Sequence, residues 1–191
     1  MRIISGNLKG KKIFLPVDKK TRPLRDLVKE SIFNLLSHSN KFSFQIQKSN
    51  ILDLFSGSGS FGLECISRGA DNVVFIENYT EVIKILKKNI LFLNAEKNSR
   101  VIEKSCFDYV DIFDSSRDRY DLIFIDPPFK ENKINLLIDL IKKKKILKVN
   151  WIIVLHRHKK DNIKINKNLN ILEERKYGIS KIILGNWFII N

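Results

Sequence analysis

The sequence predicts an α/β fold: one mostly parallel, seven-stranded sheet with an antiparallel C-terminal hairpin, plus a small N-terminal β-hairpin and helix. Three observations carry that expectation. Short apolar runs at 51–55, 73–77, 100–103, 120–125 and 151–155 alternate with segments of helical spacing, as parallel strands joined through helices require. The run Ile51 to Phe55 breaks into a Ser/Gly loop and resumes as a helix, so Gly57, Gly59 and Gly62 form G-x-G-x-x-G between a strand and a helix. The last two strands flank Tyr177-Gly-Ile-Ser180 with no helix between them.

Taken in order, Arg2–Ser5 and Lys11–Leu15 read as the strands of a basic hairpin carrying Arg2, Lys9, Lys11 and Lys12 around Gly6 and Gly10. Leu27, Val28, Ile32, Leu35 and Leu36 have the spacing of an amphipathic helix. Arg22, Arg25 and Lys29 gather at its start, against the helix dipole, which fits a phosphate contact or a solvated face alike. Residues 42–50 link to the first core strand. A second helix, marked by Val82, Ile83, Leu86, Ile90 and Leu93, follows Glu77 and ends near Asn94. Ser105-Cys-Phe-Asp108 opens a loop after the third strand, and Ile134 to Ile141 is helical before the run Lys142–Lys145, read as a dipole partner. His156 and His158 fall on one side of the fifth strand; lacking a third ligand, they read as solvated or phosphate-facing.

Bulk properties bound the function. A chain of 191 residues fits one domain with a small appendage, here an extension at 1–40 before a main domain at 41–191. A formal net charge of +14 fits a polyanionic partner, although an AT-rich genome also enriches lysine. The sequence shows no leader pattern at its start and no run of the roughly 18 apolar residues a membrane span needs. Cys65 and Cys106 have no metal-type spacing, so reduced thiols, no bound metal and a cytoplasmic setting are expected.

The chemistry concentrates at strand ends. Glycines let the loop backbone take positive φ and approach a ligand closely, and the following helix start offers free N–H groups. Glu77, 20 residues beyond Gly57, ends the second strand where an acid holds ribose hydroxyls, whether of a dinucleotide or of S-adenosylmethionine. Asp53 lies inside the first strand, where its carboxylate suits a cationic amino-acid moiety. Asp126-Pro-Pro-Phe129 follows the fourth strand. Its Asp side chain and Pro127 carbonyl are acceptors that suit an exocyclic amine, and Phe129 offers a face to a base removed from its stack.

Asp126-Pro-Pro-Phe129 resembles the [Asn/Asp/Ser]-Pro-Pro-[aromatic] signature of amino-directed, S-adenosylmethionine-dependent methyltransferases. With Leu52-Asp-Leu-Phe-Ser-Gly-Ser-Gly59 ahead of it, the chain is similar to the bacterial family that methylates a guanine N2 amine in small-subunit (16S) rRNA. Arg22, Pro23, Val28, Glu30, Phe33 and Asn34 match that family's Arg-Pro-Thr-x-x-x-Val-Arg-Glu-x-x-Phe-Asn block; Leu24 and Lys29 depart from it.

The resemblance implies a Rossmann-like class I methyltransferase fold. It assigns S-adenosylmethionine to Asp53, Ser56, Gly57, Gly59, Gly62, Glu77, Ser105, Cys106 and Asp126, and catalysis to Asp126, Pro127 and Phe129. Ser105 stands where relatives bind the adenine amine with Asp or Asn. RNA contact falls to Arg2, Lys9, Lys11, Lys12, Arg22, Arg25, Lys29 and Tyr177. The implied partner is 16S rRNA within the small subunit, met by a monomer. The rivals are a DNA adenine-N6 methyltransferase, a catalytically inactive nucleotide- and RNA-binding protein and, last, a dehydrogenase.

Overall fold

The computed structural model describes residues 1–17, 24–116, 119–165 and 167–187. Helix α1 (Asp26–His38) precedes strand β1 (Asn50–Leu54), α2 (Ser60–Ser67), β2 (Asn72–Glu77), α3 (Thr80–Phe92) and β3 (Ser99–Glu103). Then follow α4 (Cys106–Asp111), β4 (Tyr120–Ile125), α5 (Ile134–Lys143), β5 (Leu147–His158), β6 (Asn170–Tyr177) and β7 (Ser180–Asn186). The seven strands form one sheet in the order β3-β2-β1-β4-β5-β7-β6, parallel from β3 to β5 and antiparallel at β7. The order reverses between β1 and β4, so a crevice opens beyond their carboxyl ends.

Helices cover both faces of the sheet, which explains strands of nearly continuous Val, Ile, Leu and Phe. On one face Phe33 of α1, Phe61 of α2 and Phe124 of β4 stack in series, with ring centroids 5.1 and 3.9 Å apart. Ile3 and Ile13 of the N-terminal segment, at most 1% exposed, join that same core. On the other face Leu137, Ile138 and Ile141 of α5 pack over Ile123, Ile125 and Leu155.

The expected N-terminal strands shrink to a single bridge, Arg2 with Lys12. Its partners are taken elsewhere: the N–H groups of Ile4 and Ser5 donate to the buried Glu64 carboxylate of α2 at 2.7 and 2.9 Å. Gly6, at φ +81°, lies against Ser67 so closely that a Cβ would meet the carbonyl oxygen at 1.8 Å. Asn89 of α3 then clamps the returning strand, accepting from the Phe14 N–H at 2.8 Å and donating to the Phe14 and Ser58 carbonyls at 2.9 Å.

Strand β5 runs well past the expected 151–155, because a bulge lets Leu147 pair with Tyr120 and because His156–His158 pair with β7. The expected loop at Ser105 is instead a helix start: Ser105 Oγ accepts from the Asp108 N–H at 3.1 Å and caps α4.

Candidate active site

The carboxyl ends of the parallel strands β1 to β5 lie along one edge of the sheet, together with the end of β6 and the start of β7. At the end of β1 the chain turns through Phe55 at φ +60° and the glycine loop into α2. Gly57 and Gly59 take φ +55° and +81°, and a Cβ on Gly59 would meet Leu86 at 2.5 Å. A Cβ on Gly57 would meet nothing within 4 Å, so the backbone there fronts open space. Gly62 lies inside α2 rather than in the loop; a Cβ would strike the Phe75 ring at 2.3 Å, so this glycine sets helix–sheet distance. Ser56 is tied down, its N–H and Oγ both donating to the Ile76 carbonyl at 3.0 and 3.2 Å.

Two acids frame the loop. Asp53, 1% exposed, accepts from the Gly62 N–H through Oδ2 at 3.0 Å, while its buried Oδ1 has no hydrogen-bond partner among the described residues. Burial holds its carboxyl well above the ordinary carboxylate range, opposed by the Gly62 N–H and reinforced by the charges of Asp126 and Glu77. A buried, unpaired oxygen beside open backbone is what a cationic ligand group would satisfy. Glu77 receives the Gly57 N–H at 2.9 Å and those of Asn78 and Tyr79 at 2.9 and 3.0 Å, which orient its carboxylate at the end of β2. Cys106 adjoins them: its Sγ accepts from the Phe55 N–H at 3.2 Å, and burial pushes its thiol up.

Across the crevice, Asp126 follows β4. Its N–H donates to Leu54 at 3.3 Å, and its Oδ1 meets Nδ1 of His156 at 2.7 Å. Among the described residues no group hydrogen-bonds Asp126 Oδ2 or donates to the Pro127 carbonyl. The loop beyond is gripped by Arg157, 3% exposed, whose guanidinium donates to the carbonyls of Pro128 at 3.3 Å, Phe129 at 3.2 Å and Glu131 at 3.0 Å and to the Asp161 carboxylate. Phe129 stands edge-on to the rings of His156 and His158, 6.2 and 5.0 Å away.

Sequence reasoning misread Lys29 and His156. Lys29 is fully buried, pairing with Glu64 at 3.4 Å and donating to the Arg2 carbonyl at 2.8 Å and Ser60 Oγ at 3.2 Å. Burial pulls its ammonium below the ordinary lysine value against the attraction of Glu64 and Asp26. It joins α1 to α2 and does not face a substrate. His156, read as solvated, is 5% exposed and internal.

Arg2, Lys9, Lys11, Lys12 and Arg25 are exposed. Arg2 lies by the first turns of α1 and α2, whereas Asn7 and Leu8 beside Lys9 bind Ser67 at the far end of α2. Tyr177, half-buried, precedes the turn into Ser180 at the same edge as Asp126. Arg22 lies outside the described residues. No group of three or more metal-ligating side chains occurs among the described residues, and no described helix is long and apolar enough to cross a membrane.

Comparison with known proteins adds to this geometry. A family model described as conserved hypothetical protein 95 matches residues 1–186. The ribosomal RNA small subunit methyltransferase D of Buchnera aphidicola subsp. Acyrthosiphon pisum is 35% identical over 91% of this chain and 86% of its own. This chain belongs to the ribosomal RNA small subunit methyltransferase D family. The Haemophilus influenzae member is 34% identical over 94% of this chain and 90% of its own. A solved structure described as the putative methyltransferase yhhF of Escherichia coli superposes with TM-score 0.81 at 29% identity, over 98% of this chain and 97% of that one. The architecture is that of class I methyltransferases, as the sequence predicts.

Proposed function

We propose that this protein transfers a methyl group from S-adenosylmethionine to the exocyclic N2 amine of a guanine in 16S rRNA, within an assembled or partly assembled small ribosomal subunit. The observation that carries the reading is that Asp126 Oδ2 and the Pro127 carbonyl, just beyond β4, have no hydrogen-bond partner among the described residues, while the neighbouring strand β1 carries the equally unpaired Asp53 Oδ1. The names of the related proteins support rRNA as the substrate class.

The residues fit the cofactor. Asp53 Oδ1 receives its ammonium, Glu77 its ribose hydroxyls, and the Gly57 backbone passes beside it without a side chain in the way. Ser105 and Cys106 at the start of α4 border the adenine, with Ser105 Oγ already committed to the cap. Bound S-adenosylmethionine supplies a methyl group on a sulfonium, open to in-line displacement.

The protein's own task is alignment. An aromatic amine is a weak nucleophile because its lone pair delocalises into the ring. Asp126 Oδ2 and the Pro127 carbonyl take its two N–H bonds and turn the remaining density toward the methyl. Asp126 can also collect the proton released after transfer. Pro127 and Pro128 remove two backbone donors that would compete for these acceptors. Phe129 stacks on the extruded base, while Arg2, Lys12 and Arg25 meet phosphates beside it and Tyr177 closes the opposite side. Cytoplasmic action as a monomer completes the proposal.

The test is transfer of labelled methyl groups to unmodified small subunits, naked 16S rRNA and duplex DNA, with nuclease digestion to nucleosides. Label in N2-methylguanosine that disappears in Asp126→Ala is the expected result. Label in DNA adenine, or no transfer by protein that binds the cofactor, refutes the reading.

A further inference from the structure

We infer that His156 and Ser180 are positioning residues for Asp126: their hydrogen-bond chain pins one carboxylate oxygen so that the other meets the acceptor amine in a fixed direction. This rests on the proposed methyl transfer for its consequence, and on geometry alone for its substance.

The chain runs Asp126 Oδ1 to His156 Nδ1 at 2.7 Å, then His156 Nε2 to Ser180 Oγ at 2.9 Å. Sheet register assembles it. Strands β5 and β7 pair His156 with Ile182 and His158 with Ser180, so His156 and Ser180 are diagonal neighbours on one face. The same face of β4 carries Phe124 and, beyond it, Asp126. Both His156 and Ser180 are interior, at 5% and 3% exposure, whereas the Asp126 side chain is 18% exposed and reaches the crevice.

Proton inventory fixes the direction of the chain. An ionised carboxylate only accepts, so Nδ1 carries the ring proton and donates it to Asp126. Nε2 then accepts, and a serine hydroxyl can donate to it, so that both ring nitrogens have a partner. Asp126 thus selects the tautomer, and the Ser180 hydroxyl, able to donate, completes it.

The same three residue types serve as a nucleophilic triad in hydrolases, but here the order of exposure is inverted. The serine is sealed inside the sheet, and the carboxylate is the outward group. Ser180 orients; it does not attack. Without the chain, the Asp126 carboxylate would turn about its side-chain bond and present Oδ2 in many directions, losing the alignment that in-line transfer uses.

The test uses full-length, 15N-labelled protein. Long-range 1H–15N correlation should show His156 protonated at Nδ1 and bare at Nε2, with a downfield Nδ1 proton that vanishes in Asp126→Ala. In the methyl-transfer assay on unmodified small subunits, His156→Leu should lower kcat about ten- to hundredfold, the range for a hydrogen bond to a charged group, with both KM values little changed. His156→Asn, whose amide N–H stands near the Nδ1 position, should recover kcat to within about fivefold of the parent. Ser180→Ala should lie between the two.

A ring protonated at Nε2 alone overturns the inference. So does a His156→Leu loss confined to KM, or His156→Asn no better than His156→Leu when both unfold at the parent's temperature. Should the parent itself transfer no methyl, the enzymatic reading fails, and the tautomer measurement still decides this one.

Discussion

Replacing Asp53 by Asn separates folding from ligand binding at one atom. In the ligand-free protein Asp53 Oδ2 accepts the Gly62 N–H, which Asn retains, but Oδ1 is buried with no partner among the described residues. Burial raises the folded carboxyl well above its ordinary value, so the sign of the linkage is fixed. A raised carboxyl contributes stability that is present below the unfolded value, about 3.9, and is lost as pH rises through the folded one. The parent therefore loses stability across that window, whereas the Asn variant, having no carboxyl at 53, lacks this component. At neutral pH Asp53→Asn should match or exceed the parent in urea unfolding without ligand. Binding moves the other way, because the Asn side chain presents a donor or a neutral acceptor where an ammonium seeks a charge. A hydrogen bond to a charged group is worth about 1.5–3 kcal/mol, so the Kd for S-adenosylmethionine should rise roughly 10- to 150-fold by titration calorimetry. An unchanged Kd, or a variant clearly less stable at pH 7, would refute the assignment of Oδ1 to the cofactor.

Arg157→Met removes the grip on the Pro128–Glu131 backbone and leaves Asp161 without its cation; a loss of about 3 kcal/mol in urea unfolding is expected, with faster proteolysis in that loop. Gly62→Ala drives a methyl group into the Phe75 ring and should cost about 1–3 kcal/mol by the same measurement. Lys29→Met should lower stability by about 2–3 kcal/mol, because Glu64 keeps Arg68 and two N–H donors, and should leave the KM for rRNA unchanged; a raised KM without loss of stability would restore Lys29 to the substrate surface.

The alternation of apolar runs and amphipathic helices prescribes the sheet, and five strand positions follow from it within a few residues. Gly57 and Gly59 are legible because positive φ and close packing are local demands that few residues meet. Asp53, Glu77 and Asp126 are legible because strand ends can be counted along the chain. His156, Arg157 and Ser180 are not, since each acquires its role from the β5–β7 register and from a loop some 30 residues away. Lys29 misleads because a cation on a helix reads as solvent-facing until its buried acceptors are known. The short N-terminal hairpin is likewise hidden from local reading, because Glu64 and Ser67, distant in sequence, hold the N–H groups of Ile4, Ser5, Asn7 and Leu8.

The clamp on the N-terminal segment also bears on the chain's birth. Residues 1–14 leave the ribosome before Glu64, Ser67 and Asn89, which satisfy their backbone and lie 59 to 75 positions later. At typical bacterial elongation rates of about 5–20 residues per second, Phe14 waits roughly 4–15 s for Asn89. Throughout that interval Ile3 and Ile13 have no core to enter. The segment holding Ile3 and Ile13 thus becomes native no earlier than α3, and its own sequence offers those two side chains no shelter before then.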